Sequence, residues 1–317
     1  MKSIKAFFIG LITAMCISVS VRAQVIVLQK NALDKIKNGH SHVIVTSLNF
    51  PRAHEFLAVF KKYWTVTKGV DLQTAQATDG NLVSGDSYFI LEEHTVKNNS
   101  GASAVYVYLN FGIPSERAVK KKKGWKEAVA ISLAHIELSA DLNTMVVGYL
   151  RGKELGFDFD GGGHLYHWGP GFLKNYLIQL NAMIQTSKEK DFAEAVTDKK
   201  QLQNLKTQTL YCPGDNLYRM GIFVKGDKAS DIKELFEDYK YPYREVTDDE
   251  LDKILLDDSK EIYYLLFVRN ATGKLVAVVN SKTGAIIYSR YNEGTFSISS
   301  NLKSGDLKYL YKAINKN

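Results

Sequence analysis

Cysteine is almost absent from this sequence, and its scarcity limits how the chain can be stabilised. Only Cys16 and Cys212 occur among 317 residues, and Cys16 lies in an N-terminal segment that we expect to be removed. One remaining cysteine cannot form an intramolecular disulfide, so stability must come from packed hydrophobic cores. A lone cysteine is usually buried and inert, and no local pattern around Cys212 indicates a catalytic nucleophile.

The sequence also lacks the motifs that identify common enzyme classes. It contains no Gly-x-Ser-x-Gly, P-loop, dinucleotide-binding fingerprint, Cys-x-x-Cys or His-Glu-x-x-His. His40, His42, His54 and His94 are scattered without the spacing of metal ligands, and His135 falls in a predicted strand as a core or sheet-face residue. No cofactor is predicted, and the absence of a coherent catalytic set favours a non-enzyme.

Long apolar runs are missing after the N-terminus, where one short run stands out. Two lysines precede the apolar stretch at residues 6–19, and compact residues follow at the positions that a signal peptidase reads. The stretch is too short to span a membrane comfortably, and no second run of about 18 apolar residues follows. We predict that residues 1–23 are a signal peptide cleaved between Ala23 and Gln24, which places the mature protein in the periplasm, in the envelope or outside the cell. An uncleaved N-terminal anchor is the alternative.

Acidic and basic residues are nearly balanced in number. The chain carries 41 lysines and arginines against 34 aspartates and glutamates, which gives a formal net charge of +7. Loss of residues 1–23 removes Lys2, Lys5 and Arg22 and no acidic residue, which leaves +4. So mild a bias does not predict nucleic-acid binding.

One basic run interrupts this balance, and it consists of Lys120, Lys121, Lys122 and Lys123. Clustered lysines attract anionic lipid, lipopolysaccharide or acidic glycan, and such attachment weakens as salt is added. The run therefore predicts a weak contact with an anionic membrane surface. A solvated helix end or loop is the alternative interpretation.

Helices are predicted where apolar residues recur at i, i+3, i+4 and i+7. The ranges 56–63 and 232–239 both show this spacing, which places four apolar side chains on one helical face. Asn49 and Ser304 are predicted N-caps, and Thr247 begins a capping box. Further helices are predicted at residues 31–39, 173–180, 247–257 and 304–314.

Short β-branched and aromatic runs bounded by turn residues predict strands between these helices. The two halves share an order of strand, helix, strand, hairpin strands, further strand and terminal helix, and we predict an internal duplication. In support, 88–91 resembles 263–266, and 66–67 resembles 246–247, although chance similarity is the alternative. Strands are predicted at residues 43–45, 65–67, 87–96, 102–111, 128–138, 144–150, 220–224, 244–247, 262–268, 275–279 and 285–290.

This pattern predicts an α+β fold with two related lobes, each a mixed β-sheet with packed helices. A charged and polar stretch at residues 187–207 is the predicted helical connector. It separates an N-terminal α+β domain at 24–186 from a C-terminal α+β domain at 208–317. A cleft between the lobes would be the natural binding position.

Residues 156–171 form a glycine-rich and aromatic segment that is the most unusual part of the chain. Imidazole and carboxylate are ordinary metal ligands, although the spacing here fits neither a zinc protease nor a calcium loop. A glycine-rich turn between a strand and a helix is the alternative interpretation. The predicted metal ligands are Asp158, Asp160, His164 and His167.

The same segment also predicts a ligand-contacting loop, because aromatic rings beside flexible glycines offer a large contact area. Packing of these rings in the core is the alternative. The predicted ligand contacts are His164, Tyr166, His167 and Trp168.

Together these observations favour an exported, non-enzymatic binding protein. Its predicted partner is another protein, a glycan or a small molecule, and no nucleic acid is expected. The alternative function is a hydrolase or metal-dependent enzyme that uses the Asp158–Trp168 segment.

Overall fold

A computed structural model describes residues 25–29, 31–97, 103–140, 165–186, 196–214, 217, 232–269, 273–293 and 301–316. The signal peptide with its cleavage position, the strands predicted at 144–150 and 220–224, and the candidate ligands Asp158, Asp160 and His164 lie outside these residues. The predictions made for them stay predictions. Among the residues described, no helix combines the length and the apolar character needed to cross a bilayer.

The N-terminal half builds a seven-stranded sheet, called sheet 1 below. Its strands are β1 Val25–Val27, β2 Ser41–Val45, β3 Val70–Thr74, β4 Ser87–Lys97, β5 Ser103–Ile113, β6 Ile131–Ala140 and β7 Leu165–Tyr166. Its helices are α1 Ala32–Ile36, α2 Ala53–Tyr63, α3 Ala75–Thr78, α4 Glu116–Lys120 and α5 Pro170–Thr186, with a short 3-10 helix at Trp125–Glu127.

The strand order of sheet 1 is β1-β6-β5-β4-β2-β3, and β7 pairs with the end of β6. The strands β3, β2 and β4 run parallel, because helical crossovers return the chain to the same end of the sheet. The strands β4, β5, β6 and β1 are antiparallel neighbours. Sheet 1 is therefore mixed.

The C-terminal half builds a second mixed sheet, called sheet 2, in the order β12-β11-β10-β8-β9. Its strands are β8 Leu210–Pro213, β9 Tyr243–Val246, β10 Tyr263–Arg269, β11 Gly273–Asn280 and β12 Ile286–Glu293. Its helices are α6 Lys199–Leu202, α7 Ile232–Leu235, α8 Asp248–Leu256 and α9 Ser304–Asn315, with a short 3-10 helix at Gln203–Lys206. The helical elements α6 and 203–206 lie within the predicted connector, whose role as a domain boundary stays a prediction.

The two sheets share one topology over five strands. The path β6-β5-β4-β2-β3 has the same order and the same strand directions as β12-β11-β10-β8-β9. The similar segments 88–91 and 263–266 lie in the equivalent strands β4 and β10. The α+β fold with two mixed sheets is confirmed, and descent of the halves from one ancestor stays a prediction.

The predicted strand at residues 65–67 is wrong. Residues 66–68 bend between α2 and the start of β3, and the Thr67 hydroxyl bonds to Ser41 and to the carbonyl of Gly69. Such local side-chain bonds hold a β-branched residue outside a ladder. The counterpart of Thr247 is instead Thr74. Thr74 is the last residue of the edge strand β3 and Thr247 directly follows the edge strand β9, and each accepts a backbone N–H of the following helix.

Two of the predicted helix caps are also wrong. The helix α2 begins at Ala53 rather than near Asn49, with Arg52 in a left-handed conformation at the cap position, where ion pairs to Glu55 and Asp252 hold it. In α9, Ser304 is the first helical residue, and the carboxylate of Asp306 accepts the N–H of Lys303. The capping box that begins at Thr247 is confirmed.

Helix α5 lies between the two sheets and joins their cores. Thirteen of its 17 residues are buried, as expected for a helix that is covered on most sides. One continuous apolar cluster contains the inner face of sheet 1, the helices α2, α5 and α8, and one face of sheet 2. A second cluster lies on the far side of sheet 2 against α7 and α9, and a smaller third one lies on the far side of sheet 1 near α3 and α4.

Charged contacts join the halves at the edge of this shared core. The carboxylate of Asp258 accepts hydrogen bonds from Lys62 and Tyr63 of α2 and from the buried Lys174 of α5. Burial raises the pKa of Asp258, but these bonds outweigh it and hold the pKa well below its ordinary value. The ionised carboxylate therefore favours the folded state.

We expect this contact to make the protein sensitive to acid. An aspartate with a lowered folded-state pKa contributes stability above its ordinary pKa of about 4 and loses that contribution as the pH falls. The free energy of unfolding should thus decline less steeply below pH about 4 in Asp258→Asn than in the wild type. Urea unfolding across pH measures this, with Asp249→Asn as the exposed control. Parallel declines in all three proteins would refute the assignment.

Candidate functional site

The outer face of sheet 1, which points away from the shared core, carries the polar chemistry of the N-terminal half. Side chains alternate along β4, so Phe89 and Leu91 enter the shared core whereas Tyr88 and Ile90 face outward. Further along the same strand, the outward positions are Glu92 and His94. The apolar part of this face under α3 and α4 thus continues into a polar part.

This polar part spans three neighbouring strands. Cross-strand pairing places Glu92, Tyr108 and Glu137 in one row. Asn110 and His135 are paired in the next row toward Ile90, and His94 pairs with Tyr106 in the opposite direction. We call the following set the polar face: Glu92, His94, Tyr108, Asn110, His135 and Glu137.

A hydrogen-bond chain orders the carboxylate of this face. Glu92 Oε1 accepts from His94 Nε2 at 2.8 Å and from Asn110 Nδ2 at 2.5 Å. Asn110 Oδ1 in turn accepts from the hydroxyl of Ser132 at 2.6 Å. One carboxylate oxygen is therefore held in place by groups from two strands, which preorganises the site.

Rings line up beside that carboxylate. The Tyr108 ring lies between two imidazoles, with centroid distances of 5.2 Å to His94 and 4.6 Å to His135. The buried Tyr106 lies almost parallel to Tyr108 at 6.0 Å. The side chains of His94 and Glu92 are 47% and 30% exposed, so a solute reaches this part of the face.

The protonation states follow from the same contacts. Burial raises the pKa of Glu92, but the bonds from His94 and Asn110 outweigh it and hold the pKa below its ordinary value. The bond to Glu92 raises the pKa of His94. At neutral pH the face thus presents an ionised carboxylate beside an imidazole that readily takes up a proton.

A second polar group lies on the same side of sheet 1, at the start of its parallel strands. We call it the imidazole–carboxylate cluster, and it contains His40, His42, Asp71 and Asp86. His42 Nδ1 is 2.7 Å from Asp71 Oδ1, and its Nε2 is 3.1 Å from Asp86 Oδ2. His40 Nε2 is 3.7 Å from Asp71 Oδ2. Burial lowers the pKa of His42, but its two carboxylate partners outweigh it and raise the pKa above the ordinary value.

The backbone around this cluster is closely packed. A side chain at Gly39 would lie 1.9 Å from the carbonyl oxygen of Gly85, and one at Gly69 would lie 2.6 Å from the His40 ring. Glycine is required at position 39, because a Cβ would overlap backbone, whereas a Cβ at position 69 would displace the His40 ring. The loops that carry the four side chains are therefore fixed against one another.

No protein-family model, no curated protein and no solved structure matches this chain.

Part of the predicted ligand loop is described, and its side chains pack inward. Tyr166 lies in β7 opposite Ser139, and its side chain is buried. The half-buried Trp168 packs its ring 5.7 Å from that of Phe56. Since His164 lies outside the described residues, the loop as a binding site stays a prediction.

His167 bridges the two halves of the protein. Its backbone N–H donates to Asp248 at 2.8 Å, and its Nε2 lies 3.1 Å from the carbonyl oxygen and 3.3 Å from the backbone nitrogen of Phe267 in β10. The side chain is 1% exposed, and Tyr176 donates a hydrogen bond to its carbonyl. These contacts give His167 a place in the packing between the lobes, while its predicted metal role stays a prediction.

The lysine run and the lone mature-chain cysteine lie at opposite extremes of exposure in the fold. The four lysines 120–123 are all exposed at the end of α4 and in the turn after it, so their predicted contact with an anionic surface stays open to solution tests. Cys212 is fully buried in β8, and burial raises the pKa of its thiol. A protonated, inaccessible thiol is a poor nucleophile.

Sequence reasoning missed most of the side chains on the outer face. His40 and His42 are not scattered, since His40 directly precedes β2, His42 lies in it, and the fold brings Asp71 to both. The same i, i+2 spacing relates Glu92 to His94. The i, i+2 spacing is visible in the sequence. The partners on neighbouring strands depend on the strand register, which no short motif predicts.

Proposed function

We propose that this protein is an exported, non-enzymatic binding protein and that the polar face of sheet 1 receives a neutral glycan. The observation that carries the proposal is the exposed His94 and the half-buried Tyr108 ring beside the ordered, ionised Glu92. Export rests on the predicted signal peptide. The shared core around α5 fills the space between the two sheets. The outer face of sheet 1 is therefore favoured as the binding position over a cleft between the lobes.

The chemistry of the face matches that of a sugar. Vicinal hydroxyls donate to a carboxylate and accept from an imidazole or amide, and Glu92, His94 and Asn110 supply these groups together. The apolar C–H side of a pyranose ring packs on an aromatic ring, and Tyr108 offers such a surface. A few placed polar groups next to aromatic area are typical of small-molecule sites.

The charge of the face favours a neutral ligand. The ionised carboxylate of Glu92 disfavours phosphate, sulfate and other strongly anionic groups through like-charge repulsion. An anionic glycan is therefore a poorer match for this face than a neutral one. The separate lysine run at 120–123 is the part of the chain predicted to attract anionic groups.

A panel of immobilised glycans tests the proposal. We expect the mature protein to bind neutral oligosaccharides, and Glu92→Gln and Tyr108→Ala each to weaken the binding by about 10- to 100-fold. For Glu92→Gln, a hydrogen bond to a charged group is worth about 1.5–3 kcal/mol, which corresponds to this range. Tyr108→Ala removes the aromatic surface on which the sugar ring packs. Calorimetry on the strongest glycan provides the dissociation constants.

The neighbouring residue supplies the matched control. Glu93→Gln makes the same chemical change one position along β4, where side chains point to the opposite side of the sheet. It should leave the affinity unchanged. Absence of any neutral glycan ligand, or equal losses in Glu92→Gln and Glu93→Gln, would refute the proposed site.

A further inference from the structure

The imidazole–carboxylate cluster lies apart from the proposed glycan site and has a different chemistry. Two imidazoles and a carboxylate, from His40, His42 and Asp71, converge at the amino ends of β2 and β3. One donor atom from each of them lies within 4.8 Å of the others. We propose that these three residues bind one divalent transition-metal ion, and that Zn²⁺ is the ion they fit best.

The distances are close to those of a zinc site. Tetrahedral zinc with bonds of about 2.0–2.1 Å places neighbouring donor atoms about 3.3 Å apart. The separation of His42 Nδ1 and Asp71 Oδ1 is 2.7 Å, and that of His40 Nε2 and Asp71 Oδ2 is 3.7 Å. The two distances involve different oxygens of Asp71, and all three donor atoms lie within 4.8 Å of one another. Side-chain movements of roughly 1–1.5 Å would therefore bring the three donors to the spacing of a zinc site.

Asp86 is placed to orient the ligands rather than to bind the ion. Its Oδ2 lies 3.1 Å from His42 Nε2, the nitrogen that faces away from Asp71. Its Oδ1 accepts the backbone N–H of His40 at 2.8 Å. A metal-bound histidine commonly donates its second ring N–H to a carboxylate, which fixes the tautomer and leaves the other nitrogen for the metal.

The fold holds the ligands in register before any ion arrives. Parallel pairing sets His42 directly opposite Asp71 on β3 and opposite Tyr88 on β4. The side chain of His42 is nearly buried, whereas those of His40 and Asp71 are 40% and 47% exposed. A largely preformed site that opens to solvent on one side suits an exchangeable ion.

The donor set also selects among metals. Two imidazole nitrogens suit Zn²⁺ and its transition-metal neighbours, whereas Ca²⁺ and Mg²⁺ prefer all-oxygen sites. Because Ca²⁺ prefers oxygen ligands, we expect Ca²⁺ in excess not to compete with Zn²⁺ for this site. Zinc binding displaces the proton that His42 Nδ1 would otherwise share with Asp71 and releases it to solvent.

Isothermal titration of the untagged, metal-free protein with Zn²⁺ tests the proposal. We expect one ion per chain and a visible d–d spectrum of tetrahedral type when Co²⁺ replaces Zn²⁺. Because their side chains are half-exposed, His40→Ala and Asp71→Asn should fold normally by circular dichroism and lose at least about 100-fold in affinity. Asp86→Asn should lose about 10- to 100-fold and alter the Co²⁺ spectrum.

Two matched variants keep the result specific. His54→Ala removes an exposed histidine of α2 and should bind Zn²⁺ like the wild type. His164→Ala tests the segment that the sequence favoured as a metal site, and it too should leave binding unchanged. Failure of the wild type to bind Zn²⁺, full retention of binding in His40→Ala and Asp71→Asn, or loss of binding in His164→Ala alone would each overturn the proposal.

Discussion

Replacing Asp252 with alanine is expected to lower the free energy of unfolding by about 3–5 kcal/mol, because it removes one partner of a buried polar network. Asp252 Oδ1 accepts the N–H groups of Gly171 at 2.7 Å and Phe172 at 3.3 Å, at the start of α5. Its Oδ2 lies 2.7 Å from a guanidinium nitrogen of Arg52. The substitution leaves two buried backbone donors without their acceptor, in the helix that joins the two cores.

Two variants separate the parts of this effect. Asp252→Asn keeps an acceptor oxygen for the helix start but loses the charge, so we expect about half of the loss. Asp249→Ala changes an exposed aspartate in the same helix α8 and should cost less than about 1 kcal/mol. Urea unfolding followed by circular dichroism measures all three. A loss in Asp252→Ala no larger than in Asp249→Ala would show that this contact does not join the halves.

Trp64→Ala should destabilise the protein by about 3–5 kcal/mol through loss of a large buried ring. Its ring lies edge-on to Phe89 and Phe111, each with a centroid distance of 4.9 Å. Its indole N–H donates to the hydroxyl of Ser41 at 2.8 Å, next to His40 and His42. The residue therefore supports both the core of sheet 1 and the strand that carries the proposed metal ligands.

The size of the ring and its hydrogen bond can be tested apart. Trp64→Phe keeps most of the aromatic contact and loses the N–H, so a loss of about 1–2 kcal/mol is expected. Trp125→Ala, which removes a half-exposed tryptophan, provides the comparison. Thermal and urea unfolding should show the largest loss of stability in Trp64→Ala, a smaller loss in Trp64→Phe and the smallest in Trp125→Ala. Equal stability of Trp64→Ala and Trp125→Ala would contradict the aromatic core described for sheet 1.

Strongly apolar strands were predictable from the sequence, and a short one was not. β10 and β11 are strongly apolar runs of seven and eight residues, and both appear where the pattern predicts them. β8 has only four residues, ends at Pro213 and is the central parallel strand of sheet 2. Leu210, Cys212 and Pro213 are buried and Tyr211 is half-buried. These four residues are too few to show an alternation that would distinguish the strand from a loop.

The outer-face sites depend on contacts that the sequence does not encode locally. His42 and Asp71 are 29 residues apart and meet only because β2 and β3 pair in parallel with that register. Glu92 and Asn110 are 18 residues apart and meet through an antiparallel pair. The composition of the glycine-rich segment predicts a binding or metal site. Its last glycine, Gly171, instead packs against Asp252 and donates its backbone N–H to that carboxylate.

The most direct test of the glycan site follows the imidazole resonances of the seven histidines in isotope-labelled protein as a neutral glycan from the panel is added. His94 and His135 report on the polar face, and His54 reports on α2. We predict shifts for His94 and His135, with His54 unmoved. Shifts confined to His164 and His167, or spread without regard to position, would contradict the assignment of ligand binding to the outer face of sheet 1.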